Sequence, residues 1–292
     1  MASGSDTTTG TSSLALRRYV KEEMSNPKGD LQKQIFITNP DRIDTHILGP
    51  AFFDLPLKFT SCYPILGEGK LIKDQELDFV EWSTKNFACW PVRDKDWDEW
   101  TKHMLKHKKT ELEQTGLWHI ISLLQYGIHQ NPALIHAALA FWDASFNYFS
   151  FNCGMMGPTV LDVSFLTGLP PFGPMFDISD SIDIPLLKTM KTSGSYASYG
   201  NFLHAEAKFG KPVSDREFFA YLLYTLCKMI FCHNGKKIMH EFAPLAYRLS
   251  KGEKFDLASY FLGYVYKIGS DSQSKPLNFN IGGPLWFLQL WI

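Results

Sequence analysis

Residues 218–230 read Phe-Phe-Ala-Tyr-Leu-Leu-Tyr-Thr-Leu-Cys-Lys-Met-Ile, with Lys228 the one charged side chain among them. Ser214 and Glu217 stand just ahead in the spacing of a capping box, in which each side chain satisfies the other residue's backbone N–H at a helix start. A helix that is apolar around its whole circumference is a buried helix. This segment therefore predicts the centre of a domain and demands other elements on every side of it, with Gly235 as its stop. Of the 292 residues, 45% are apolar and 15% aromatic, enough to build that surround and too many for a disordered or collagen-like chain.

The flanking segments read mostly as helices. Asp74 precedes Leu77, Phe79, Val80 and Trp82, and Asp94 precedes Trp97, Trp100, Met104 and Leu105, each an acid at the head of an amphipathic stripe. Leu117, Ile120, Ile121 and Leu124 recur at three and four residues. Asn131 and Pro132 then supply an N-cap and first helical position for a helix over about 133–146, joined to the previous one through Gly127. From Tyr148 the period drops to two, and Cys153-Gly154 and Gly157-Pro158 follow, which predicts a hairpin. Thr159 and Asp162 cap a two-turn helix whose stripe of Val160, Leu161, Val163 and Leu166 ends at Gly168 and Pro170. Residues 170–183 and 191–200 read as loop, and further helices are expected over 241–249, 257–266 and from Pro284 to the end. The expected fold is mainly α: an irregular multi-helix domain with a small β-hairpin around residues 148–158.

Three regions follow. Residues 1–13 are Ser/Thr/Gly-rich with Asp6 and no apolar stretch, which suits a disordered tail and not a secretory signal. Residues 14–70 carry Pro27, Pro40, Pro50, Pro56 and Pro64, and proline disrupts helix interiors, so an extended, loop-rich segment packing on the main domain is expected there. Residues 71–292 form the main domain. The longest stretch without Asp, Glu, Lys or Arg, near residues 114–142, holds three histidines and Pro132 and is no membrane span.

Chemical motifs are weak by comparison. The formal net charge is −1 and the pI near 6.7, far from a basic nucleic-acid footprint. Lys102, Lys106, Lys108 and Lys109 form a basic run, offset by Asp94, Asp96, Asp98 and Glu99; His103 and His107 within it read as part of a solvated face, since Met104 replaces the acid of a zinc-helix motif. Gly67-Glu68-Gly69-Lys70 lacks the first glycine and the hydroxyl of a phosphate loop. Five cysteines with irregular gaps suit neither a disulfide framework nor a zinc ribbon; Cys227 reads as a buried thiol beside Cys232, His233 and His240. No G-x-S-x-G occurs, and no lysine is singled out for a Schiff base. On residues alone, no catalytic, cofactor or metal site is expected.

Two segments do more. Trp142, then the run Phe149-Ser150-Phe151-Asn152-Cys153-Gly154-Met155-Met156-Gly157-Pro158-Thr159-Val160-Leu161-Asp162-Val163-Ser164-Phe165-Leu166-Thr167-Gly168-Leu169-Pro170, resembles the signature of the plant mobile domain family, F-x-(F/L)-x-C-G-E-M-T-P-T-L-x-D-V-x-x-L-x-G-L-P. The closing Gly282-Gly283-Pro284-Leu285-Trp286-Phe287-Leu288-Gln289-Leu290-Trp291 is similar to that family's G-G-P-L-x-x-L-Q-L-W block. Met155 stands where the family has an acid, and Met156-Gly157 where it has Met-Thr. The resemblance covers about residues 71–292, with truncation at the C-terminus as an alternative because relatives usually run on.

What the resemblance implies is a plant protein akin to those of transposable elements and of the maintenance-of-meristems-like group: nuclear factors in transposon silencing, gene expression or meristem maintenance, working with a phosphoprotein-phosphatase-like partner. The family's "aminotransferase-like" label carries no activity over to these residues. The leading expectation is a non-enzymatic interaction module. The alternatives are a mobile-element accessory protein touching nucleic acid through its basic face and, last, a pyridoxal-phosphate enzyme.

Overall fold

The computed structural model describes an antiparallel strand pair, β1 (Ile65–Leu66) with β2 (Lys70–Leu71), and then residues 86–292 apart from 94, 145, 152–153, 178–181, 191, 193–196, 236 and 275–280. The tail, most of the proline-rich segment and the helix expected after Asp74 lie outside the described residues, as does Asp94 itself. The expected architecture, helical with a small antiparallel sheet, is the one observed.

Helix α1 (Lys95–Gln114) buries Trp97, Trp100, Thr101, Met104 and Leu112 and bends at Lys108, where φ is −137°. Helices α2 (Trp118–Leu124) and α3 (Pro132–Leu139) form the expected hairpin; Gly127 takes φ +74°, and the Asn131 side chain accepts the Leu134 N–H at 3.1 Å. The third helix stops earlier than the local pattern implies. Trp142–Asp143 forms strand β3, which pairs with β4 (Tyr148–Phe151), and β4 pairs with β5 (Gly154–Met156). The predicted hairpin is thus β4–β5, extended by one strand, and Trp142 is a strand residue and not a helical one. Its register opposite Phe149, seven residues on, sets its place, a strand pairing that helical periodicity does not report.

Helix α4 (Val160–Thr167) has the predicted capping box and a left-handed end at Gly168, φ +71°. Val163 and Thr167 are buried and Leu166 half-buried, but Leu161 is 49% exposed and Phe165 92%. The stripe is therefore narrower than the sequence suggests, and Leu161 lies outside it. Two short helices escaped the sequence reading: α5 (Pro185–Thr189) and α6 (Tyr199–Glu206), the second beginning in the last two residues of the stretch expected to be loop. Phe202 and Leu203 draw α6 into the core, and the Ile238 N–H fastens to the Ala197 carbonyl at 2.8 Å.

Helix α7 (Asp215–Tyr224) is the buried centre, with Phe218 to Tyr224 all out of solvent. It runs on as a wider π turn, Thr225–Ile230, and stops before Gly235. The stop is at Cys232, a non-glycine residue at φ +46°, where the His233 N–H reaches back to the Cys227 carbonyl at 3.0 Å. Only half of its expected capping box forms. Ser214 Oγ accepts the Glu217 N–H at 3.2 Å, but the Glu217 carboxylate is turned away to bonds inside the core. Helices α8 (Ala243–Ser250, after a 3₁₀ turn His240–Phe242), α9 (Leu257–Ser274) and α10 (Leu285–Trp291) complete the surround, with α9 two turns longer than its stripe predicts. Among the described residues no helix is long and apolar enough to cross a membrane.

Candidate functional site

The two signature segments, far apart in sequence, meet on the small sheet. Trp142 is fully buried, edge-on to Phe149 at 4.8 Å between ring centroids and tilted against Tyr266 of α9 at 6.0 Å. Its indole lies against the backbone of Gly269, where any Cβ would overlap it. Phe151 stacks on Phe149 at 5.3 Å, and Trp291 from the closing block stacks on the same ring at 5.6 Å and 20°. Phe149 thus receives rings from β3, β4 and α10. Gly154, opposite Phe151, adopts φ +128°; Cys153 lies outside the described residues.

Past the sheet, the chain is held by its own polar groups. Thr159 N–H donates to Asp162 Oδ2 at 2.7 Å, and the Asp162 N–H returns to Thr159 Oγ1 at 3.3 Å. The Pro158 carbonyl accepts the Tyr266 hydroxyl at 2.9 Å; burial raises the Tyr266 pKa, so that group stays a donor. Gly168 passes under the His119 ring, where a Cβ would collide, and the Leu169 N–H bonds to Thr167 Oγ1 at 3.2 Å. Leu169 is buried, and Pro170 rests on Gly116 while its carbonyl takes the Ala258 N–H at 3.1 Å.

The closing block is anchored at both ends. Gly282 lies against the Asn234 backbone and Gly283, at φ +133°, against Ile268, so neither position has room for a Cβ, and the Gly283 N–H donates to the Cys232 carbonyl at 2.9 Å. After Pro284, Leu285, Trp286, Phe287 and Leu288 are all buried, and the Trp286 indole N–H donates to the Ile230 carbonyl at 3.0 Å. Gln289 Oε1 accepts the Asn131 N–H at 2.6 Å while its Nε2 donates to the His129 carbonyl at 2.7 Å. Leu290 is exposed.

A second polar group, which sequence reasoning missed, lies between α1 and α7. Glu217 is 2% exposed; its Oε1 accepts the Lys208 N–H at 2.9 Å and the Trp100 indole N–H at 3.2 Å. His103 is turned toward it, with Nε2 3.9 Å from the same oxygen and its ring 4.8 Å from that of His107. The expectation of a solvated face is therefore corrected for His103: it points inward because Trp100, one turn before it, and Met104, next to it, set the buried side of α1. Glu206, also buried, receives two bonds from Arg216 at 2.7 and 2.8 Å, and Arg216 in turn reaches Thr189. These bonds tie α1, α5, α6 and α7 together.

Burial shapes two thiols and a histidine ring in the core. Burial pushes the Cys227 thiol up to about 12 and Cys232 well above its ordinary value, which keeps both protonated near neutral pH. Burial also lowers His136 to about 4, a neutral ring stacked on Phe87 at 4.7 Å. Among the described residues no three His, Cys, Asp or Glu side chains are grouped to hold a metal ion. On the outer face of α1, Lys102, Lys106 and Lys109 are exposed, and Lys95, Lys108 and Lys109 each pair with a glutamate one turn on.

A family model described as plant mobile domain matches residues 116–292. The Arabidopsis thaliana protein MAINTENANCE OF MERISTEMS is 27% identical over 208 residues, covering 64% of this chain and 43% of that protein. The chain thus spans less than half the length of this relative. No solved structure matches.

Proposed function

Because the chain belongs to the plant mobile domain family, we propose that it acts as a non-enzymatic interaction module in the nucleus, in transposon silencing, gene-expression control or meristem maintenance. It works through protein partners, one of them a phosphoprotein-phosphatase-like subunit. The observation that carries this reading is how the signature side chains are used. Trp142 faces Gly269, Thr159 binds Asp162, and Gln289 holds the turn before α3, so these positions maintain a shape. The relative's name supports the meristem assignment. A tagged full chain purified from plant nuclei is expected to bring down a recurrent partner carrying a phosphatase fold, with the tag itself seen in nuclei. Cytoplasmic residence, or nothing beyond the untagged control, counts against it.

The exposed lysines of α1 favour one second reading, contact with nucleic acid. Retention on heparin with a log-log salt slope of several units, at about −0.9 per phosphate neutralised on duplex DNA, would select it. An aldimine absorbance band in the purified chain would instead select the pyridoxal-phosphate reading.

A further inference from the structure

The turn that follows the central helix carries chemistry that neither the signature nor the core requires. Asn234 and Gly235 form an exposed turn and are the one Asn-Gly dipeptide in the sequence. Asparagine before glycine is the pair in which the following backbone nitrogen most easily reaches the side-chain carbonyl, because glycine has no Cβ to obstruct the approach. Here that nitrogen has a base on it: the Gly235 N–H donates to His233 Nδ1 at 3.0 Å. The other ring nitrogen, Nε2, stands 3.7 Å from Glu241 Oε1. A carboxylate on that side favours the tautomer with its proton on Nε2, leaving the Nδ1 lone pair for the amide. Among the described residues, Glu241, Lys267 and Lys237 are the charged groups acting on the ring, and burial, the largest influence, lowers its pKa, so it is neutral at physiological pH.

We propose that Asn234 is a self-modifying site, deamidating spontaneously with His233 as the base. The Gly235 amide proton passes to His233 Nδ1 as the Gly235 nitrogen bonds to Asn234 Cγ. The bond from Cγ to the side-chain nitrogen then breaks, and ammonia leaves with the proton returned by His233. A five-membered succinimide remains. One water opens it at either carbonyl, giving aspartate or isoaspartate at 234. An acceptor without basicity, such as a carbonyl, would only restrain the amide; an imidazole can take the proton.

The position makes the change consequential. The backbone of Asn234 is in contact with Gly282, and the neighbouring Cys232 carbonyl holds the Gly283 N–H. Isoaspartate inserts an extra methylene into the main chain at that contact and adds a negative charge to the turn, so the modified turn no longer fits the closing block.

The test ages the purified full chain at neutral pH and follows Asn, Asp and isoAsp at 234 by peptide mapping, with Asn201 as internal reference. Residue 234 is expected to convert well ahead of 201, and His233→Gln, which keeps an acceptor but no base, to slow it about tenfold or more, the low side of what a positioned base supplies. Because burial holds the His233 ring below the ordinary histidine value of about 6.5, the wild-type rate should be flat above that pH. A rate in His233→Gln equal to or above wild type overturns the proposal. So does a wild-type rate climbing about tenfold per pH unit, which marks hydroxide as the base, or conversion no faster than at Asn201. The wild-type pH profile decides even if the variant fails to fold.

Discussion

Gln289 holds the backbone of Asn131: its carboxamide oxygen takes the Asn131 N–H at 2.6 Å, and the same side chain reaches the His129 carbonyl. Asn131 is itself the N-cap of α3, so the last helix fixes the start of a helix near the beginning of the family region. Gln289→Ala removes both bonds and leaves two backbone groups to water. Each bond contributes on the order of 1 kcal/mol, so urea denaturation should show a loss of about 1–2 kcal/mol, and a loss under about 0.5 would make this contact ornamental.

Helix α9 offers a sign test in which one substitution has opposite effects. At Gly263 nothing lies within 4 Å of an added Cβ, so Gly263→Ala should stabilise by about 0.5–1 kcal/mol through helix propensity. At Gly269 the Cβ would overlap the Trp142 indole, so Gly269→Ala should cost at least about 2 kcal/mol through overpacking. Thermal melts that shift the same way in both variants would contradict the close approach of Trp142.

Acid should weaken the fold through His136. Buried, it takes up a proton only near pH 4, whereas the unfolded chain does so near 6.5. Below pH 6.5 the unfolded state therefore binds more protons, and stability falls as the pH drops toward 4. The loss is on the order of 1–3 kcal/mol for a depression of this size. His136→Phe, which retains a ring against Phe87, should flatten that part of the profile; an unchanged slope would assign it elsewhere.

Removing everything after Gly283 takes away four buried side chains, Trp286 and Phe287 among them. At about 25 cal/mol per Å² and 150–250 Å² per aromatic ring, the two rings alone contribute roughly 8–12 kcal/mol before entropy. The shortened chain should be unfolded or aggregated. A soluble product melting within a degree or two of full length would mean that α10 is dispensable.

What the sequence made legible was local. The caps at Asn131, at Thr159 with Asp162, and at Gly168 could be read because a capping side chain or a left-handed glycine acts within three or four residues of itself. The central helix was readable because it has no polar face. What escaped was set at a distance. Trp142 left its helix for a partner at Phe149, and Glu217 abandoned the reciprocal cap for Trp100 and Lys208. His103 turned inward because α1 lies on that carboxylate. Buried Glu206, paired with a partly exposed Arg216, left no sequence signal beyond a charge next to an apolar run. In the signature itself, Leu161 and Phe165 show that apolar character on a short helix does not choose the buried side; the neighbours do.

The bond from Gln289 to the His129 carbonyl spans 160 residues of chain. Contacts of that separation raise the mean sequence distance between contacting residues, and folding slows as that distance grows. A polypeptide emerging from the ribosome can form the α2–α3 hairpin and the sheet early, but the ring of Phe149 and the carbonyl of Ile230 must wait, uncovered, until residues 285–291 have been made. Chaperone capture during synthesis should be most frequent in that interval.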